Sequence, residues 1–150
     1  MQLNQKETTL LKDLMDQEKL CADKYSKYAA SASDPQLKNL FSQMSTVEQG
    51  HYNALNQLSG GSVPSPDGSR PASPEIKATY TSSPSPEKQN DSFLCSDMLT
   101  AEKHVSSLYN TCIFEFRDEE TRKLLNKIQA DEQCHGKMIY DYMEKNAMYS

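Results

Sequence analysis

The sequence predicts an all-α protein, a four-helix bundle made of two helical hairpins joined by a long crossover. Three observations predict it. Apolar residues recur every three to four positions in two blocks, residues 5–58 and 91–146, the period of helices with one buried stripe. Between the blocks, residues 59–88 hold six of the seven prolines and many serines, which excludes helix and packed core from most of that stretch. The blocks are also copies of one pattern, because a shift of 84 residues aligns one half with the other without a gap.

The first helix carries Leu11, Leu14, Glu18, Cys21, Tyr25 and Tyr28 on one stripe. The second carries Leu37, Leu40, Met44, Val47, Glu48, His51, Leu55 and Leu58. Asp34 followed by Pro35 reads as an N-cap with proline at the first helical position, so the hairpin turns at 31–34. The crossover spans 59–90, with Ile76–Tyr80 expected to lie along the domain as a short extended piece. A third helix then aligns Leu94, Met98, Glu102, Val105, Tyr109, Cys112, Ile113 and Phe116. The fourth aligns Leu124, Ile128, Glu132, His135, Met138, Ile139 and Tyr142 behind the cap Asp118, with Glu119 and Glu120 in its first turn. At 150 residues the chain is long enough for one domain with a real core, and 1–150 is read as that domain.

The repeat singles out the charged residues. Glu18 matches Glu102, Tyr25 matches Tyr109, Asp34 matches Asp118, and Glu48-Gln49-x-His51 matches Glu132-Gln133-x-His135. Glu18 precedes its cap by 16 residues and Glu48 follows it by 14. At the helical rise both stand roughly 21–24 Å from the turn, so an antiparallel hairpin brings them level. Glu102 and Glu132 repeat this about Asp118. Glu and His at i, i+3 share a helix face. Two hairpins packed face to face therefore gather Glu18, Glu48, His51, Glu102, Glu132 and His135 at one centre. Unpaired, such charges would cost several kcal/mol each. Four carboxylates are neutralised by two divalent ions, and one Glu from each of two helices plus Glu-x-x-His from the other two is the ligand set of dinuclear carboxylate bundles. Mixed carboxylate and imidazole donors suit iron or manganese, with zinc also admissible. The competing reading is a buried hydrogen-bond network without metal.

Tyr25 and Tyr109 each follow a Glu of this set by seven residues, two turns along the same face. Each can hydrogen-bond a ligand carboxylate, or serve as core aromatic with its hydroxyl satisfied elsewhere. His104 lies two residues from Glu102 and is read as a surface residue. The four cysteines, Cys21, Cys95, Cys112 and Cys134, include no C-x-x-C pair. They read chiefly as small buried hydrophobes, and disulfide pairing stays open.

The net charge of −5 and pI near 5.2 argue against nucleic acid or an anionic membrane as partner. No apolar run approaches the roughly 20 residues of a membrane span. The N-terminus has no basic stretch followed by an apolar one, so synthesis in the cytoplasm without a signal peptide is expected.

The layout resembles the ferritin-like superfamily, which includes rubrerythrin and manganese catalase. DMLTAEKHVSSLYNT at 97–111 and DEQCHGKMIYDYMEKNAMY at 131–149 resemble, more closely, the coat F family of spore coat proteins of endospore-forming bacteria. LLKDLMDQEKLCADKYSKY resembles the first hairpin of similar coat proteins. The resemblance covers both hairpins and not the crossover. It implies a spore coat component, with other coat proteins as partners and self-association as an option. It implies two metal ions, and a ferroxidase or peroxide-consuming, catalase-like reaction. The chain lacks the cysteine-rich iron domain through which rubrerythrins receive electrons. The alternative is a purely structural coat component without catalysis.

Overall fold

The computed structural model describes residues 1–149; Ser150, the last residue of the expected domain, lies outside them. Four helices make up the fold: α1 (Gln5–Ser31), α2 (Pro35–Ser59), α3 (Pro86–Glu115) and α4 (Glu119–Lys145). No strand occurs among the described residues. Each helix starts where a side chain can accept from a free N–H of its first turn. Asn4 and Glu7 form a reciprocal capping box on α1. Asp34 accepts from Gln36 N with Pro35 at the first position of α2, and Asp118 accepts from Thr121 N at α4.

α3 begins at Pro86, ahead of the expected 91. Ser85 caps it, accepting from Lys88 N at 3.1 Å, and Pro86 loses nothing at a position whose N–H has no helical partner. The same proline and serine that mark a linker by composition are, here, a helix start.

The hairpins α1–α2 and α3–α4 pack with α1 against α3 and α2 against α4. Both contacts are antiparallel. Glu7 at the start of α1 accepts from Arg117 N, just past the end of α3, at 3.0 Å. Asp34 before α2 accepts from the Tyr142 hydroxyl near the end of α4 at 2.6 Å. Residue 91 stands 84 positions beyond residue 7, and Asp91 makes the matching tie. It accepts from Ser33 N at 2.8 Å and Asp34 N at 3.0 Å. Each hairpin thus holds the other's turn with an acid from its own first helix.

The crossover must run from the end of α2 to the opposite end of the bundle. Gly61 turns the chain out of α2 at φ 91°, where an L side chain is strained and its Cβ would stand 3.3 Å from the Met1 carbonyl. Midway, Pro71 and Ala72 lie beside Met44 and Val47 of α2 and Met138 of α4, so the segment passes along the α2–α4 seam. Ile76 packs on the core. Lys77 N donates to Gln36 Oε1, and Thr79 N and Tyr80 N both donate to Asn146 Oδ1, each at 2.8 Å. The piece is extended and anchored without forming a strand.

The apolar core divides in two. Tyr25, Phe41, Met44, Met98, Ile139 and Tyr142 belong to one cluster, toward the α1–α2 turn. Leu14, Leu55, Tyr109, Cys112, Phe116 and Leu125 belong to the other. On each helix the residues that separate the clusters are the charged ones of the repeat, so the ionisable layer is sealed by hydrocarbon on both sides.

Candidate metal centre

Helical spacing turns Glu18, Glu48, Glu102 and Glu132 inward, one from each helix, and adds His51 and His135 one turn after Glu48 and Glu132. The four carboxyl groups are 0–3% exposed, His135 is 0% and His51 6%. All six expected residues meet in one layer. Their donor atoms form two overlapping groups, Glu18–Glu48–His51–Glu132 and Glu48–Glu102–Glu132–His135, with the atoms of each group within 4.8 Å of one another. Glu48 and Glu132 belong to both.

The imidazoles reach across the hairpin interface. His51 Nδ1 lies 3.3 Å from Glu48 Oε2, 3.5 Å from Glu18 Oε2 and 2.9 Å from Glu132 Oε1 of the other hairpin, the last without hydrogen-bond geometry. His135 Nδ1 reciprocates, 2.8 Å from Glu48 Oε1 and 3.4 Å from Glu102 Oε1. The ring centroids are 6.4 Å apart.

Tyr25 and Tyr109 follow the same crossed logic. The Tyr25 hydroxyl donates to Glu102 Oε1 and the Tyr109 hydroxyl to Glu18 Oε1, each at 2.5 Å. Burial, reinforced by these carboxyl charges, pushes both phenols well above their ordinary range, so they stay protonated and donate.

Four adjacent carboxyl groups in hydrocarbon cannot all ionise unaided. Burial, then the charge of Glu18, holds Glu48 well above the usual carboxylate range; burial with the charges of Glu18 and Glu102 does the same for Glu132. For Glu18 and Glu102 burial is outweighed by their close neighbours, Glu48 and His51 for the one and Glu132 and His135 for the other, and both shift downward. Burial also opposes charge on His51, yet Asp131, Glu132, Glu18 and Glu48 together keep its ring well above the ordinary imidazole range.

The donor set fits cations. Glu18 Oε2, Glu102 Oε2 and both oxygens of Glu132 are buried with no hydrogen-bond donor, a costly state for acceptors in an apolar interior. Two divalent ions, one in each group, would engage those oxygens and both Nδ1 atoms.

The structure adds one residue to this site that the stripe pattern does not mark. Asp131 Oδ2 is 2.8 Å from His51 Nε2, and Lys127 Nζ donates to both Asp131 oxygens at 2.7 Å. Asp131 precedes Glu132 and falls off the ligand stripe. Its usable signal in the sequence is the Lys127-x-x-x-Asp131 spacing one residue before a Glu-x-x-His. His104 is exposed, in keeping with its position. Cys21, Cys95 and Cys112 are buried free thiols and Cys134 is half-buried, so no disulfide ties the described residues. Burial pushes the Cys112 thiol up to about 12, which makes it a poor nucleophile.

Residues 90–150 match the Coat F domain. The matched stretch contains α4 and α3 from residue 90 onward, with Glu102, Glu132 and His135; Glu18, Glu48 and His51 precede it. The match supports kinship with coat F-type spore coat proteins. No curated protein and no solved structure matches the chain. Among the described residues no helix is long and apolar enough to cross a membrane.

Proposed function

We propose that the protein is a spore coat component of ferritin-like type whose bundle holds two divalent metal ions, iron or manganese, between its hairpins. The observation that carries this reading is the convergence of four carboxyl groups and two imidazoles, one or two from each helix, into two overlapping buried groups whose remaining acceptors have no donor. Glu18 and His51 would serve one ion, Glu102 and His135 the other, and Glu48 and Glu132 both. Zinc satisfies the same donors.

Bound iron or manganese supplies a redox-active Lewis acid at a dry site. The chain's own residues prepare that site. Tyr25 and Tyr109 fix the carboxylates of Glu102 and Glu18 by hydrogen bonds across the hairpin interface. The two apolar clusters exclude water from above and below. The four scattered cysteines offer no relay for electrons. Reactions that need no external reductant therefore suit the site best: oxidation of ferrous iron as substrate with dioxygen or peroxide as the electron acceptor, or disproportionation of peroxide, in which one peroxide is oxidised to dioxygen and another reduced to water. Coat partners follow from the family resemblance.

The test is metal analysis of protein purified from iron- and manganese-supplemented medium. About two ions per chain are expected, and His51→Ala and His135→Ala should each lose at least one. Stoichiometric binding that survives both substitutions rejects this ligand set. A melting temperature indifferent to added iron or manganese, with no bound metal, assigns the protein to the purely structural alternative. Peroxide consumption by the loaded protein then separates catalysis from storage or structural binding.

A further inference from the structure

The internal repeat makes the two halves of the layer nearly interchangeable, and the places where it fails are informative. His51 Nε2 lies 2.8 Å from Asp131 Oδ2, and Lys127 holds that aspartate with two bonds. Shifted by 84 residues, the positions facing His135 are Val47 for Asp131 and Gln43 for Lys127. Nothing replaces the lost acceptor. His135 Nε2 is buried without a hydrogen-bond partner. Beside it is a cavity of about 80 Å³ lined by Gln43, Met44, Val47, Pro71, Ala72 and Met138.

The consequence for ligation follows from imidazole chemistry. Each Nδ1 faces the carboxyl layer, so it must present its lone pair while Nε2 carries the proton. Asp131 accepts that proton's hydrogen bond, fixes the tautomer and ring orientation of His51, and raises the basicity of its Nδ1. On His135 the same tautomer leaves an N–H facing an almost apolar cavity.

We propose that the two ion positions are unequal by construction: the Glu18–Glu48–His51–Glu132 position fills first and tightly, and the Glu48–Glu102–Glu132–His135 position is the weaker one, because Asp131 is a positioning residue for His51 and Val47 denies His135 its counterpart. The inference rests on the dinuclear reading given above. It assigns the pair different duties, a resident ion on the His51 side and an exchangeable one on the His135 side.

Calorimetric titration of metal-stripped full-length protein with Mn²⁺ alone tests it. Shared Glu48 and Glu132 and cation repulsion can by themselves separate two binding steps, so the variants carry the test. Asp131→Asn should weaken the tighter step by roughly 10–100-fold and leave the weaker one within a few-fold. His51→Ala should abolish the tighter step, His135→Ala the weaker. Gln43→Lys with Val47→Asp, which rebuilds the missing pair in the space of the cavity, should tighten the weaker step by roughly tenfold. Circular dichroism of each variant verifies the fold. If Asp131→Asn affects both steps alike or neither, or if His51→Ala spares the tighter step, the inequality is overturned while the dinuclear reading stands. If the unmodified protein binds no Mn²⁺, Fe²⁺ or Zn²⁺, that reading is overturned, and this inference with it.

Discussion

Tyr25 and Tyr109 show how much a single hydroxyl carries in this interior. Glu102 Oε2 has no donor, so the Tyr25 hydroxyl on Oε1 is the carboxylate's one strong hydrogen bond. Tyr25→Phe should leave a buried carboxylate almost bare and cost about 1–3 kcal/mol in metal-free protein, measured by urea denaturation. Tyr109→Phe should cost a similar amount through Glu18. Saturating Mn²⁺ should shrink both penalties, since a cation would engage the same carboxylates. At this scale the sequence was most legible where charge interrupts an apolar stripe. Glu18, Glu48, His51, Glu102, Glu132 and His135 each do so, and the repeat places each in register with a partner. Asp131 escaped because it sits one residue off that stripe, and because the partner position holds Val47, so the repeat offers no echo. Its signal in the sequence is the Lys127-x-x-x-Asp131 spacing just ahead of Glu132-x-x-His135.

Helix starts and turns are where the elements bind to each other. Glu7 is both the reciprocal cap of α1 and the acceptor for Arg117 N and Nε, at 3.0 and 3.1 Å. Hydrogen bonds from the Arg117 side chain, opposed by burial, pull its carboxyl down to about 2. An unfolded glutamate titrates near about 4.3. The folded value is the lower one, so this contribution to stability is complete above about pH 5 and fades as pH falls toward about 2. Glu7→Gln should therefore lower the melting temperature at neutral pH, with the difference from the unmodified protein closing on acidification. Asp91→Ala removes the acceptor for Ser33 N, Asp34 N and the Tyr80 hydroxyl together. A loss of about 1–3 kcal/mol is expected by denaturant titration, with the α1–α2 turn opening first in hydrogen exchange. Neither tie could be read from periodicity, which reports faces and not the contacts of helix ends. The start of α3 was obscured for a different reason. Ser85 and Pro86 close a proline- and serine-rich run, and composition reads the run as a whole while a cap depends on one residue.

For the whole molecule, the layer of ionisable groups is where the core departs from hydrocarbon packing. It interrupts hydrocarbon that would otherwise be continuous, and on the dinuclear reading proposed above, cations binding only to the folded bundle would stabilise it. At a free Mn²⁺ concentration 100-fold above the dissociation constant the gain is about 2.7 kcal/mol, read as a rise in melting temperature that a chelator reverses. The four-helix architecture was legible because two signals agreed, apolar spacing within each half and the repeat between halves; the path of the crossover along the α2–α4 seam was not, since an irregular segment carries no period to read. One property of the fold reaches beyond a single chain. Three kinds of tie between the hairpins are exchanged in kind, tyrosine for tyrosine, acid-to-turn for acid-to-turn and imidazole for imidazole, while Asp131 on His51 and Tyr142 on Asp34 have no counterpart. A hairpin from a second chain would find all of those partners waiting. Only the slack in residues 60–85 lets one polypeptide close on itself, and cutting that segment below the span of the bundle should yield swapped dimers, doubled in mass by light scattering, with two complete centres.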